Sequence, residues 1–322
     1  MATSTDLPEY IDGVPNISGS EGLIDEVIAG SRNKRFWLPE GAEPFGNTRA
    51  ACAIALHQHQ PLIPAGGHDI RTAAIISNLQ HMMENQGIGD NHNAPAFVWC
   101  YKRMGEFVPE LAGAGKNPRC MLEYSGTLLH GLRQMGEGHV VDCLKHATTH
   151  PDYANCLEWL GMPWGHAVAP STPIQDFKLH VKAFQHHFAA IFGLEALERL
   201  RGFSPSEMAL PNQPDVAYAY IKTLVDCGLQ WVLVQEHTVE HPEDGHSAKQ
   251  PYIPNRLVCK NADGEAVEIL ALVKTQGSDT KLVAQMQPYY EAQSLQRTEV
   301  GGVSVPPIVT QIADGENGGV MM

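Results

Sequence analysis

Several features common in chains of this size are missing here. No stretch approaches the ~18 uninterrupted apolar residues of a membrane span, although 43% of the 322 residues are hydrophobic. Basic charge is scarce: 22 Lys and Arg stand against 36 Asp and Glu, a formal net charge of −14. Nucleic acid and anionic membrane surfaces both demand a basic face, so neither is expected as a partner. Cys52, Cys100, Cys120, Cys143, Cys156, Cys227 and Cys259 are scattered and lack CxxC spacing, which reads as reduced core thiols rather than disulfides or a zinc framework. The first twenty residues, MATSTDLPEYIDGVPNISGS, hold neither a basic start nor an apolar run, so no secretory signal is read and the cytoplasm is the expected location. No GxGxxG follows a strand and no GxxxxGK[ST] occurs, which takes weight from nucleotide-binding folds.

What is present is the material for a large core, either one α/β domain or two smaller ones. Residues 1–48 read as an irregular arm with one helical candidate, Glu21 to Ala29, and residues 49–322 as the main domain. There, apolar runs alternate with amphipathic stretches: CAIAL (52–56) before a helix near Arg71–Glu84, AFVWCY (96–101) before one near Arg103–Gly113, CMLEY (120–124) before Thr127–Met135. Phe177, Val181, Phe184, Phe188, Ile191 and Phe192 recur at helical steps and predict a helix over 176–192. A helix over 215–227, a strand at WVLVQE (231–236), a hairpin over 256–273 turning at Asp263-Gly264, a helix near 278–292 and a last strand in PPIVTQIADGE (306–316) complete the pattern. Strand followed by helix, several times over, points to a parallel sheet covered by helices, a barrel or a doubly wound fold.

The apolar runs end in residues suited to chemistry: CAIAL in His57 and His59, CMLE in Glu123, GFSPSE in Glu207, WVLVQE in Glu236 and the last run in Asp314 and Glu316. In a parallel barrel the carboxyl ends of the strands meet on one face, where active sites are built. Carboxylates facing each other across a sugar suit glycosidic chemistry. Histidines and amides suit sugar hydroxyls, and Trp99, Trp159 and Trp164 are available to stack on a pyranose. Sixteen histidines also invite a metal, but His186, His187, His146 and His150 read as ordinary helix or loop residues.

In order along the chain, IALHQHQP (54–61), MLEYSGTLLHGL (121–132), GFSPSEMALP (202–211) and IADGENGG (312–319) resemble four signature regions of glycoside hydrolase family 57, and GHAVAPSTPIQDFKLHVKAFQHHFAAIFG (165–193) resembles the stretch leading to the third. The resemblance implies an incomplete parallel (β/α)7 barrel, of the kind shared with deacetylases, and a retaining mechanism on α-glucans or related α-galactosides. Carried over, Glu207 is the nucleophile, Asp314 the general acid/base, and His57, His59, Glu123 and His166 line the sugar site. No metal and no cofactor is implied, and the partner is an oligo- or polysaccharide. The chain departs from the family at Ser204-Pro205-Ser206, where a Trp-Leu-Pro is usual, and at Gly318, where a Phe is usual. Family members continue beyond the fourth region, so the domain is expected to lack its C-terminal part. Trp37-Leu38-Pro39-Glu40 matches the nucleophile motif more literally but precedes the first strand. Two other readings stand beside this one. One is a zinc-dependent polysaccharide deacetylase, for which His146 and His150 have ligand spacing while Gln60 is a poor ligand. The other is a glycan-binding barrel that has lost turnover.

Overall fold

A computed structural model describes residues 7–34, 46–65, 69–275 and 285–316. A small ribbon of β1 (Tyr10–Ile11) and β2 (Val14–Pro15) precedes α1 (Glu21–Ser31). Next come β3 (Ala51–Gln58), a ribbon of β4 (Leu62–Ala65) with β5 (Ala74–Ser77), α2 (Asn78–Glu84), α3 (Ala94–Gly113), β6 (Cys120–Tyr124), α4 (Gly126–Gln134), α5 (Gly138–Thr149) and β7 (Leu157–Gly161). They are followed by α6 (Ile174–Phe192), α7 (Leu194–Glu198), β8 (Gly202–Phe203), α8 (Pro214–Asp226), β9 (Trp231–Gln235), β10 (Asn255–Lys260) and β11 (Ala266–Lys274). Helix α9 (Gln287–Ser294), the ribbon β12 (Thr298–Val300) with β13 (Val303–Val305), and β14 (Ile308–Asp314) end the described chain.

One eight-stranded sheet runs β10-β11-β9-β8-β7-β6-β3-β14. Every pairing from β11 to β14 is parallel, and only β10 joins antiparallel. Strands covered on both faces read as continuous apolar runs; in β9, Val232, Leu233 and Val234 are all fully buried. The sheet is strongly rolled. Ala55, Met121, Leu160, Leu233 and Ile312, from five different strands, pack in one cluster. In a flat sheet, β9 and β14 would stand about 24 Å apart, five steps of about 4.8 Å, too far for side chains to meet. The outer parallel strands come together where the Thr310 hydroxyl donates to the Val273 carbonyl, 3.0 Å away. No backbone ladder joins β11 to β14 among the described pairs. The expected α/β class with a large parallel sheet is therefore present, with its rolled edges meeting through a side chain.

The stripe predicted for α6 is the face it buries: all six residues are 2% exposed or less. Phe188 and Phe192 lie 5.4 and 4.9 Å from the Trp159 ring of β7. Some readings change. AFVWCY, read as a strand, lies inside the 20-residue helix α3, whose Ala94, Tyr101, Gly105 and Val108 form a buried face at helical spacing; packing overrides the β propensity of the run. The helix placed over 71–84 begins only at Asn78, because 74–77 pairs with β4. The β10–β11 hairpin turns through residues 261–265 rather than two, closing on Lys260 opposite Ala266. Helix α5 and strand β7 went unread, their apolar runs being short. The helix near 278–292 lies partly outside the described residues and is seen from Gln287. Glu40 and Gly318 fall outside them as well. Among the described residues no helix is long and apolar enough to cross a membrane.

The described part of the first 48 residues is docked. Ile24 and Ile28 enter the main core, the Ser20 amide donates to His186 Nε2 at 2.9 Å, and Arg133 holds Glu9 at 2.7 Å. Ile24→Ala should therefore lower unfolding free energy by about 2–5 kcal/mol, the cost of a deleted core aliphatic. Urea unfolding reads this directly; no change would mean that α1 is not part of the cooperative unit.

Candidate active site

Strand register builds the first part of the site. Asp314 of β14 pairs with His57 of β3, and His57 with Glu123 of β6. Each stands two residues beyond Ile312, Ala55 and Met121 of the interior cluster. Because side chains alternate along a strand, all three point to that same side. They form a polar layer above an apolar one, at the carboxyl ends of the strands.

Glu123 is fully buried, and His57 Nδ1 lies 3.2 Å from its Oε1. Neither Glu123 oxygen has a well-formed hydrogen bond among the described residues, so the contact is an ion pair of imperfect angle. Burial alone would lower the His57 pKa. The Glu123 carboxylate, with help from Asp314 and Glu316, outweighs it and raises the group from 6.5 to about 9. His57 is thus a cation at neutral pH.

His59 and His166 are the neutral counterpart. The rings stack at 4.1 Å with 11° between planes, and His166 lies 4.9 Å from His57. His59 Nδ1 is 2.8 Å from the Ser125 hydroxyl, which caps α4 by accepting from the Leu128 amide. Burial first, and then its imidazole neighbours, push the His59 pKa down to about 3. Burial and the His57 charge also lower that of His166, against the pull of Glu123, Glu207 and Asp314.

Glu207 reaches the cluster from the far side, its Oε1 3.8 Å from His166 Nε2. Its side chain is 68% exposed, unlike buried Glu123. It sits in a short turn after β8 with φ 58°. His166 (φ 57°) and Met208 (φ 51°) share this left-handed conformation. Each such residue costs of order 1–3 kcal/mol and marks a spot held by its surroundings. At the other end of the layer, the Gly315 amide donates to the His57 carbonyl at 2.9 Å. A side chain at Gly315 would collide with the Gln58 amide, 1.6 Å from an added Cβ.

All six predicted site residues, His57, His59, Glu123, His166, Glu207 and Asp314, thus belong to one neighbourhood of contacts, pairings and mutual charges. One further member, Tyr101, escaped the sequence reading. Tyr101, in the misread run, donates to Glu316 Oε1 at 2.5 Å and accepts from Gln60 Nε2 at 3.0 Å. Trp164 lies over Gly126, where an added Cβ would stand 2.0 Å from the indole, and donates to His187 Nδ1 at 3.1 Å. Trp159 is core, and Trp99 carries the Arg103 guanidinium 4.0 Å above its ring. Glu236 begins the turn that follows β9.

The donor set suits a metal poorly. Lone pairs of stacked imidazoles lie in nearly parallel planes and do not converge on one ion at the ~2.0–2.1 Å a zinc–nitrogen bond needs. Gln60 is committed to Tyr101 and Asn78. His146 and His150 sit at the end of α5, ahead of the amino end of β7 and away from this layer. Among the described residues no group of three His, Cys, Asp or Glu has the geometry of a metal site.

No family model matches the chain, and no curated protein sequence does. Solved structures do match. In fold the chain resembles a 4-alpha-glucanotransferase. That protein, from Thermococcus litoralis, is 16% identical, with a TM-score of 0.54 over 85% of this chain and 34% of its own. The chain therefore spans about a third of that protein's length. A putative polysaccharide deacetylase from Mycobacterium smegmatis (11% identity, TM-score 0.45, 86% of this chain and 82% of that one) and the alpha-amylase AmyC from Thermotoga maritima (11%, 0.38, 83% and 68%) are weaker likenesses. At these identities the likeness speaks for the fold alone.

The His57–Glu123 pair makes a prediction with a defined sign. The folded pKa of His57, about 9, lies above 6.5, so its stabilising contribution is complete below pH 6.5 and is lost as pH rises through 9. NMR titration should find one imidazole near 9 in the native chain, moved down by more than a unit in Glu123→Gln. An unchanged titration in that variant would refute the pairing.

Proposed function

We propose that the chain carries the catalytic site of a retaining glycoside hydrolase or transglycosylase of the family 57 kind, acting on α-glucan-type carbohydrate. The observation that carries the reading is that two acids neighbour the His57–His166 pair. Glu207 lies 3.8 Å from His166, and Asp314 is the strand partner of His57. In this reading Glu207 attacks the anomeric carbon while Asp314 gives its proton to the departing glycosidic oxygen. Asp314 then takes a proton from water or an acceptor hydroxyl as that oxygen displaces Glu207. Retention asks for carboxyl groups about 5–5.5 Å apart.

The histidines fit recognition rather than proton transfer. A pKa of about 9 leaves His57 protonated, a standing donor. A pKa of about 3 leaves His59 neutral, a donor and acceptor at once. Sugar hydroxyls ask for both. Exposed Glu207, against buried Glu123, is the carboxylate free to bond to substrate. The partner in this reading is an oligo- or polysaccharide. The coarse kind, a carbohydrate-active enzyme, is also that of the 4-alpha-glucanotransferase that the chain resembles in fold.

Trapping with a fluorinated glycosyl fluoride, followed by peptide mass mapping, should label Glu207; a label on any other residue overturns the assignment. Asp314→Asn should lower turnover of unactivated glucans about 10²–10⁴-fold, the usual worth of a general acid. An aryl glycoside with a good leaving group should lose far less in its glycosylation step, read as the release of the aryl group. Equal losses on both substrates would argue against the acid role.

A further inference from the structure

Helix α6 carries three histidines that the proposed chemistry does not use. His186 turns toward the arm, where its Nε2 accepts from the Ser20 amide. His180 and His187 stand seven residues apart, about two helical turns, and so share one face of the helix. Both meet the loop that leads to His166. His180 Nδ1 accepts from the Gly165 amide at 3.2 Å, and His187 Nδ1 accepts from the Trp164 indole at 3.1 Å. The His180 carbonyl also accepts from the Trp164 amide. Two consecutive loop residues are thus fastened to α6, and the next residue is His166.

Both imidazoles must be neutral to play this part, since an imidazolium donates at both nitrogens and accepts at neither. Burial keeps them so. It lowers the His180 pKa against the pull of Asp176. Together with the nearby His130, it pushes that of His187 down to about 3. With Nδ1 accepting, the His187 proton sits on Nε2, which is buried and has no hydrogen-bond partner among the described residues. A leucine at this position would strand no N–H. What the imidazole supplies and leucine does not is the lone pair facing the indole. The indole also rests on Gly126, so Trp164 is gripped between α4 and α6.

The fastened loop delivers His166 in its left-handed conformation, stacked on His59 at 4.1 Å and with Nε2 3.8 Å from Glu207 Oε1. We infer that His180 and His187 are positioning residues: through Trp164 and Gly165 they fix the His166 imidazole, and through it the place of the Glu207 carboxylate. The effect on turnover rests on the glycosidic reading, whereas the fixing of His166 does not.

His187→Leu and His180→Leu each remove one acceptor, while His187→Asn and His180→Asn each keep an acceptor near the place of Nδ1. Thermal unfolding identifies the folded variants, and half-buried His180 supplies a second site should His187→Leu fail to fold. The first readout needs no turnover. A nuclear Overhauser contact between the His59 and His166 rings should be present in the native chain, lost in the leucine variants and restored in the asparagine variants. Its survival in every folded leucine variant overturns the inference. The second readout is turnover of an α-glucan well below the unfolding temperature. The leucine variants should lose about 10–100-fold in kcat, the cost of a misplaced reacting group, and the asparagine variants should recover most of it. A merely structural role would lower the unfolding temperature and leave kcat as it was, which overturns the inference as well. A native chain that turns over no glucan sinks the glycosidic reading instead, and the ring contact still decides whether α6 fixes His166.

Discussion

Glu123 has no contact with solvent, and a lone carboxylate so placed would cost several kcal/mol even after relaxation. Its charge is sustained by His57, 3.2 Å away on the neighbouring strand. The pair makes the register of β3 against β6 a matter of electrostatics as well as packing. A slip of one residue would turn His57 outward and leave Glu123 buried without a counter-charge. Since β14 pairs in register with β3 along Ile308–Asp314, Asp314 inherits its place from the same constraint. The layer below obeys it too: Ala55, Met121 and Ile312 face inward because His57, Glu123 and Asp314 do.

The Glu207 side is held differently, by clamped turns rather than by a ladder. The Trp164 amide donates to the His180 carbonyl, the Thr127 amide to the Trp164 carbonyl, and the His166 amide to the Pro163 carbonyl. The Gly165 amide reaches His180 Nδ1 at 3.2 Å. These bonds, with the indole seated on Gly126, fix the loop that presents His166 in a left-handed conformation. The Ser204 amide extends β8 onto Gly161 and delivers Glu207 in the same conformation to the other side of that imidazole. Such strain persists only where surrounding contacts over-determine the backbone, and the two segments share one such place.

This difference decides what could be read from the sequence. His57, Glu123 and Asp314 were legible because a parallel strand is an apolar run, and the residue that ends it marks the carboxyl edge. The α6 stripe was legible because its period is 3.6. Tyr101 was not: its run has β-type composition, and only the surrounding helix α3 shows that it reaches back to Glu316. Ser125 and Gly126 carried no local signal either, since a cap and a seat for Trp164 exist only once α4 and the loop after β7 are assembled. Glu207 and His166 stood on the resemblance of short motifs, and their juxtaposition is a tertiary fact that no spacing encodes. The arm looked irregular because its two core anchors, Ile24 and Ile28, are too few to show a period.

Charge bookkeeping then bears on the chemistry. The His57 cation is matched by Glu123, while His59 and His166 have their pKa values lowered and are neutral near pH 7. What Glu207 and Asp314 add is therefore acidic. A site that is acidic on balance opposes an anionic intermediate such as acyl or phosphoryl transfer builds, and favours one in which positive charge develops on the substrate. Cleavage of a glycosidic bond passes through such an oxocarbenium-like state. The same balance accounts for the protonated His57: the Glu123 carboxylate 3.2 Å away, with help from Asp314 and Glu316, outweighs the burial that would otherwise keep it neutral. The cation is thereby taken up by buried Glu123, while Glu207 and Asp314 stand exposed at the edge of the cluster.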